Sequence, residues 1–113
     1  MCGRFTIITP IEKLIEQFEA AQIEDDLKGT LFPNYNAAPG QKLLVITNTS
    51  PKKISLFRWG LIPYWAKDPS IGYKLINARS ETLTEKASFK NAFKKRRCII
   101  LADSYFEWEK KSG

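Results

Sequence analysis

Near the start of the chain four apolar residues fall at helical spacing, Ile11, Leu14, Ile15 and Phe18 at i, i+3, i+4 and i+7, so one face of a helix is apolar and the other polar. Thr9-Pro10-Ile11-Glu12 supplies the start signal, with Thr9 as N-cap, Pro10 at the first helical position and Glu12 closing a capping box. The polar stretch Glu24–Gly29 ends in glycine and reads as the loop that closes the element. Asn34–Gly40 is a loop rich in turn formers, with Pro39-Gly40 setting a tight reversal. Two apolar runs, Leu43–Thr47 and Ile54–Trp59, flank the polar Asn48–Lys53, the pattern of strand, turn and strand. An aromatic loop, Leu61–Ser70, follows. Tyr73–Arg79 alternates as a strand with Tyr73, Leu75, Asn77 and Arg79 on one face. Glu85–Lys95 reads as a second helix burying Ala87, Phe89, Ala92 and Phe93, and Arg97–Ala102 and Tyr105–Lys110 read as closing strands. Lys110-Lys111-Ser112-Gly113 looks like the opening of a hairpin turn. A final strand without its partner leaves backbone groups open, so residues 1–113 are expected to be the N-terminal part of a longer single domain.

Composition narrows the class. The chain of 113 residues holds one domain at most, and 43% hydrophobic with 27% charged residues is ordinary for a globular protein in water. No apolar run approaches the roughly 20 residues a membrane helix needs, and no secretion signal precedes the helix. A cytoplasmic, nucleoid-associated protein with no membrane partner is expected. Cys2 and Cys98 read as separate free thiols, with Cys98 an inert core residue inside Cys98-Ile99-Ile100-Leu101. The chain has no histidine, which excludes a Ser-His-Asp site or a catalytic zinc built from these residues, and no metal or cofactor is expected. Charge is unevenly spread: residues 1–50 carry 4 basic and 6 acidic side chains, residues 51–113 carry 14 and 6. The second half therefore suits a polyanionic partner, although a Lys-rich solvated face has the same composition.

Cys2 changes the picture further. Removal of Met1 would leave it with a free α-amine and a thiol on adjacent carbons. An amine with a pKa of about 7.7–8.0 and a thiol near 8.5 are both partly reactive at neutral pH. With an aldehyde, the amine forms a Schiff base and the sulfur closes a five-membered thiazolidine. A small residue after an initiator methionine is also commonplace, so the dipeptide alone does not decide.

Five segments then occur in a known order: Met1-Cys2-Gly3-Arg4-Phe5, Asn36-Ala37-Ala38-Pro39-Gly40, Trp59-Gly60-Leu61-Ile62-Pro63, Ile76-Asn77-Ala78-Arg79-Ser80-Glu81-Thr82, and Arg97-Cys98 leading to Ala102-Asp103-Ser104-Tyr105-Phe106-Glu107-Trp108. In these the chain resembles the SOS response-associated peptidase family, also called abasic-site processing or shielding proteins. The resemblance implies an α+β fold with a curved, mainly antiparallel, partial barrel-like sheet and flanking helices. It implies an enzyme that cross-links its N-terminal cysteine to the ring-opened sugar of an abasic site in single-stranded DNA, after self-processing that removes Met1, and that is a monomer when complete. By the same resemblance Cys2 is the nucleophile, Asn77 an active-site positioning group and Glu107 the catalytic acid/base. Its place between Phe106 and Trp108 is expected to shield Glu107 partly from water, which suits moving a proton. Arg4 and Arg79 match phosphate contacts, and Pro39 and Trp65 sit in loops that flank the lesion. Without the resemblance, Asn77 is a turn contact, Glu107 a solvent-facing strand residue, Trp65 a core residue and Pro39 a turn former. The run Lys94-Lys95-Arg96-Arg97 either extends the phosphate track or is the solvated end of a helix. The family's further histidine, in a His-x-Arg-Met-Pro-type motif, has no counterpart in this sequence. Two other classes remain open, a non-covalent single-stranded DNA binding module and an N-terminal-nucleophile cysteine amidase.

Overall fold

A computed structural model describes residues 2–25 and 32–109. Strand β1 (Phe5–Ile7) leads into helix α1 (Ile11–Gln17), followed by β2 (Gln22–Ile23), β3 (Asn34–Ala37), β4 (Lys42–Thr47) and β5 (Ser50–Arg58). Two 3-10 turns, Pro69–Tyr73 and Ser80–Thr82, precede helix α2 (Lys90–Lys95), β6 (Cys98–Ile100) and β7 (Ser104–Tyr105). The strands form two open sheets in the orders β3-β1-β7 and β2-β5-β4-β6. All pairings are antiparallel except β2 with β5, which is parallel. The chain changes sheet four times, through α1 between β1 and β2, again between β2 and β3, and by the short links 38–41 and 101–103, so the two sheets form an α+β partial barrel around one core. That core joins Phe5, Ile7 and Ala37 of one sheet to Leu43, Leu44, Ile46 and Ile54 of the other, closed by Leu14 of α1 and by Leu101.

The expected apolar face of α1 is the one that packs, with Leu14 buried and Ile11, Ile15 and Phe18 against the core. Its capping box is not made. Pro10 takes the cap position without a side-chain bond, because the Thr9 hydroxyl and amide both donate to Asp103 instead. The helix ends in two backbone bonds, Glu19 N to Glu16 O and Ala20 N to Ile15 O, with Glu19 left-handed at φ 52°. Beyond it Gln22-Ile23 forms a short strand before the polar Glu24; Gly29 lies outside the described residues.

Asn34–Ala37, read as loop, is a strand. Pairing with β1 overrides the local turn preference, and the Asn34 carboxamide is satisfied by Gln41 and by the Asn36 amide. The reversal at Pro39-Gly40 is present: Gln41 N donates to Ala38 O, and Gly40 at φ 89° fills the third position of a type II turn. The expected strand, turn and strand is β4 and β5, with β5 starting earlier, at Ser50, so that Asn48-Thr49 alone forms the turn.

Three further expectations fail. Tyr73–Arg79 is not a strand, because Asp68 caps Ser70 N and starts a 3-10 turn that runs through Tyr73, after which the chain is irregular. The second helix is shorter than Glu85–Lys95: Glu85 and Phe89 bond three residues back, to Thr82 and Lys86, and the helical run begins only at Lys90. Ala87 is exposed, while Phe89, Ala92 and Phe93 are half-buried. Cys98 is no core residue, since β6 is an edge strand and all three of its residues are exposed. The last two strands are also shorter than their patterns, and the turn expected at residues 110–113 lies outside the described residues. No helix among the described residues is long and apolar enough to cross a membrane.

Candidate active site

Cys2 lies just before β1, half-buried and packed on the core edge. Its backbone carbonyl accepts a hydrogen bond of 2.9 Å from Asn77 Nδ2, and its thiol points to Arg4 O at 3.8 Å. Asn77 comes from the irregular segment after the first 3-10 turn, and two anchors set that segment. Trp59 Nε1 donates to Ile76 O at 3.1 Å while its ring tilts against Phe5 of β1, centroids 5.4 Å apart. One indole thus ties the strand that follows Cys2 to the residue preceding Asn77. The second anchor is Gly60, at φ 120°, where any Cβ would collide with the Gly72 carbonyl. This close approach lets Leu61 N reach Leu75 O at 3.0 Å.

From the other side β7 pairs with β1, Phe5 opposite Tyr105, and Phe106 N donates to Arg4 O at 2.9 Å. β7 ends at Tyr105, and Glu107 follows two residues further along the chain. Glu107 is exposed, and its neighbours Phe106 and Trp108 are 44% and 81% exposed, so the shielding expected of them is not in place. The pairing is fixed by Asp103, whose carboxylate accepts from Ile8 N at 2.6 Å, Thr9 N at 3.0 Å and the Thr9 hydroxyl. The Thr9 hydroxyl first, with the Ile8 amide, holds the Asp103 carboxyl below its ordinary range.

A cleft of about 390 Å³ opens here between Gly3, Arg4, Asn36 and Trp108. Arg4 folds back, Nη1 donating to Gly3 O at 2.8 Å. The other expected residues stand outside this hydrogen-bonded unit. Pro39 is in the turn before β4, half-buried. Trp65 is 48% exposed and meets Tyr64 edge-on at 5.1 Å, so it is not a core side chain. Arg79 leads into the second 3-10 turn with its side chain exposed. Arg97 stacks on Phe93 at 4.4 Å and donates to its carbonyl, which occupies it as an α2 end group. Cys98 lines a groove on the four-stranded sheet, whereas Cys2 precedes a strand of the other sheet, and desolvation pushes the Cys98 thiol pKa up, away from nucleophilic character. The described residues hold no cluster of three or more His, Cys, Asp or Glu suited to a metal.

Sequence reasoning missed the work of Trp59 and Asp103. Both lie in quoted segments, yet their partners, Ile76 and Thr9, are set by tertiary contact alone. The available signals were an aromatic before a glycine and an Asp-Ser pair between two strands.

Fold and site together define an α+β partial barrel whose candidate chemistry gathers at its first residues, around a cysteine whose backbone carbonyl is held by a carboxamide from a distant loop. The chain belongs to the SOS response associated peptidase (SRAP) family, whose pattern its sequence matches along residues 1–113. It is 50% identical over 111 residues to the abasic site processing protein YoqW of Bacillus subtilis, covering 97% of this chain and 49% of that protein. It is 37% identical over 94 residues to the abasic site processing protein HMCES of Xenopus tropicalis, covering 72% and 28%. The crystal structure of a protein from Bacteroides thetaiotaomicron superposes with a TM-score of 0.76 at 25% identity, over 97% of this chain and 50% of the other. The chain thus spans about half the length of the bacterial relatives it matches.

Proposed function

We propose that this chain is part of an abasic-site processing protein that captures the ring-opened sugar of an abasic site in single-stranded DNA through Cys2. The observation that carries the reading is the Asn77 bond to the Cys2 carbonyl, which joins two segments 75 residues apart at the one residue whose amine and thiol suit an aldehyde. Once Met1 is removed, by self-processing in this reading, the Cys2 amine adds to the sugar aldehyde and water leaves, giving a Schiff base. The thiol then adds across the C=N bond, its proton passing to nitrogen, and closes the thiazolidine. Asn77 fixes the Cys2 backbone during both steps. Glu107 moves the protons. Arg4 and Arg79 hold phosphates, while Pro39 and Trp65 flank the lesion, an exposed indole replacing lost base stacking at about 1–3 kcal/mol per base. The abasic-site names of the relatives support this reading, as does the basic excess of residues 51–113. It places the protein with the DNA of the cytoplasm, as one domain and a monomer when complete.

The test is a denaturing gel of the protein lacking Met1 with single-stranded DNA carrying one abasic site. A covalent band is expected, absent with intact DNA and absent for Cys2→Ala. Glu107→Gln should slow the band while sparing affinity. Binding without any adduct would favour the non-covalent binding module, and a full band from Cys2→Ala would remove Cys2 as the nucleophile.

A further inference from the structure

Strand β5 treats the cations at its two ends differently. Near its start, Lys52 and Lys53 each meet a glutamate, Glu19 at 3.4 Å and Glu24 at 3.6 Å. At its end, Arg58 has Lys42 of β4 as its register partner, so two cations share one face, where Cβ atoms stand about 4.5–5.5 Å apart. Both are exposed, and among the described residues neither has an acidic partner. Asp68, the acid before the 3-10 turn that ends at Tyr73, caps Ser70 and senses the charge of Lys74 instead. Like charges directly opposite each other weaken a sheet, so this end of the hairpin keeps an unfavourable pair.

The pair is also aimed. The Arg58 guanidinium lies over the Tyr73 ring, 5.4 Å from its centroid, which holds the cation in place and leaves its N–H groups to donate. Tyr73 in turn is seated on Gly40, where a Cβ would stand 2.6 Å from its hydroxyl oxygen. Gly40 N donates to Trp59 O and Trp59 N to Gln41 O, both at 2.9 Å, so the Pro39-Gly40 turn is clamped to the end of β5. The two cations therefore adjoin, on a fixed base, the turn whose Pro39 flanks the lesion in the function proposed above.

We propose that Lys42 and Arg58 together hold a backbone phosphate of the single-stranded DNA that runs past Pro39. A phosphodiester suits the pair because its oxygens accept from the guanidinium fork and the ammonium at once, and its charge relieves their repulsion. Such a contact reads no sequence; it sets the register of the strand on the protein. The inference rests on the DNA reading of the function and is independent of the Cys2 chemistry.

The test is fluorescence anisotropy across a salt series, with a labelled single strand that carries no abasic site and the chain carrying Cys2→Ser. Adding Lys42→Ala and Arg58→Ala should weaken binding several-fold and flatten the salt slope by about 0.7. Adding Lys52→Ala and Lys53→Ala removes as many charges and should leave the slope unchanged, because glutamates already match them. Inorganic phosphate at matched ionic strength should not displace the strand. Without DNA, Lys42→Ala should raise the urea midpoint while it weakens binding, opposite signs that a merely structural lysine does not give. An unchanged slope in the Lys42 and Arg58 double variant overturns the inference, and so does equal flattening in the Lys52 and Lys53 one, which would make net charge the cause. Displacement by inorganic phosphate, or a lowered midpoint in Lys42→Ala, overturns it as well. A parent protein that binds no single strand at all removes the DNA reading itself, and this inference with it.

Discussion

Asn77 and Asp103 each hold backbone rather than substrate, and their substitutions separate positioning from chemistry. Asn77 donates to the Cys2 carbonyl, so Asn77→Ala removes one half-buried neutral bond, worth about 1 kcal/mol. Adduct formation should fall roughly fivefold in single-turnover assays if that bond acts fully in the transition state. Asn77→Asp should be slower still, because an ionised carboxylate cannot donate and would face a carbonyl oxygen. Equal rates for all three proteins would remove Asn77 from the site. Asp103 answers to pH. Its carboxyl is held below the ordinary value of 3.8 in the folded protein by Thr9 and Ile8, so its contribution to stability is present above that value and is lost as pH falls through the lower, folded one. Urea midpoints of wild type and Asp103→Asn should therefore differ most near neutrality and converge below the ordinary carboxylate value. A gap that stays constant down to the acid limit would show that the carboxylate's charge is not what clamps β1 to β7.

At the scale of elements, two residues with positive φ should respond with opposite signs. Gly60 at φ 120° stands against the Gly72 carbonyl, and its freedom from a Cβ lets the first 3-10 turn press on the end of β5. Gly60→Ala adds both a strained backbone and a clash, a loss of about 1–3 kcal/mol, and it loosens the segment that presents Asn77. Glu19 at φ 52° occupies the left-handed position that closes α1, where a side chain costs about 1 kcal/mol or more. Its exposed pair with Lys52, 3.4 Å between heavy atoms, returns about 0.3 kcal/mol. Glu19→Gly should consequently raise the urea midpoint modestly, less the extra freedom glycine gives the unfolded chain. Chemical denaturation of the two variants checks both signs, and a destabilised Glu19→Gly would mean that the Lys52 pair outweighs the backbone strain.

For the whole molecule, charge is the testable property. The net +6 comes from a basic excess after residue 50, with Arg79 exposed there, and Arg4 lines the cleft next to Gly3. If both grip phosphates, affinity for single-stranded DNA should fall with salt by a slope of roughly −0.7 per phosphate neutralised. Arg79→Ala should weaken binding and flatten that slope by about that amount. A slope unchanged in Arg79→Ala would put the DNA track elsewhere.

The face of α1, the β4–β5 hairpin and the turn at Pro39-Gly40 follow from local pattern, because each is fixed by periodicity or by a residue whose backbone range is narrow. The five short segments around Cys2, Asn77 and Glu107 were legible in the same way, as residue types in order. Pattern could not give the strand at Asn34–Ala37, whose turn-forming residues yield to pairing with β1. Nor could it give the irregular path of Tyr73–Arg79, whose alternation has no neighbouring strand to pair with among the described residues. Cys98 shows the same limit from the other side, an apolar setting in sequence that lies on an exposed edge because no strand among the described residues covers it there. The chain thus determined which residues are candidates for the site. Only the tertiary structure decided that Asn77 meets Cys2 and that Trp59 and Asp103 hold that meeting in place, because contacts across many tens of residues depend on sheet pairing and core closure that no local spacing encodes.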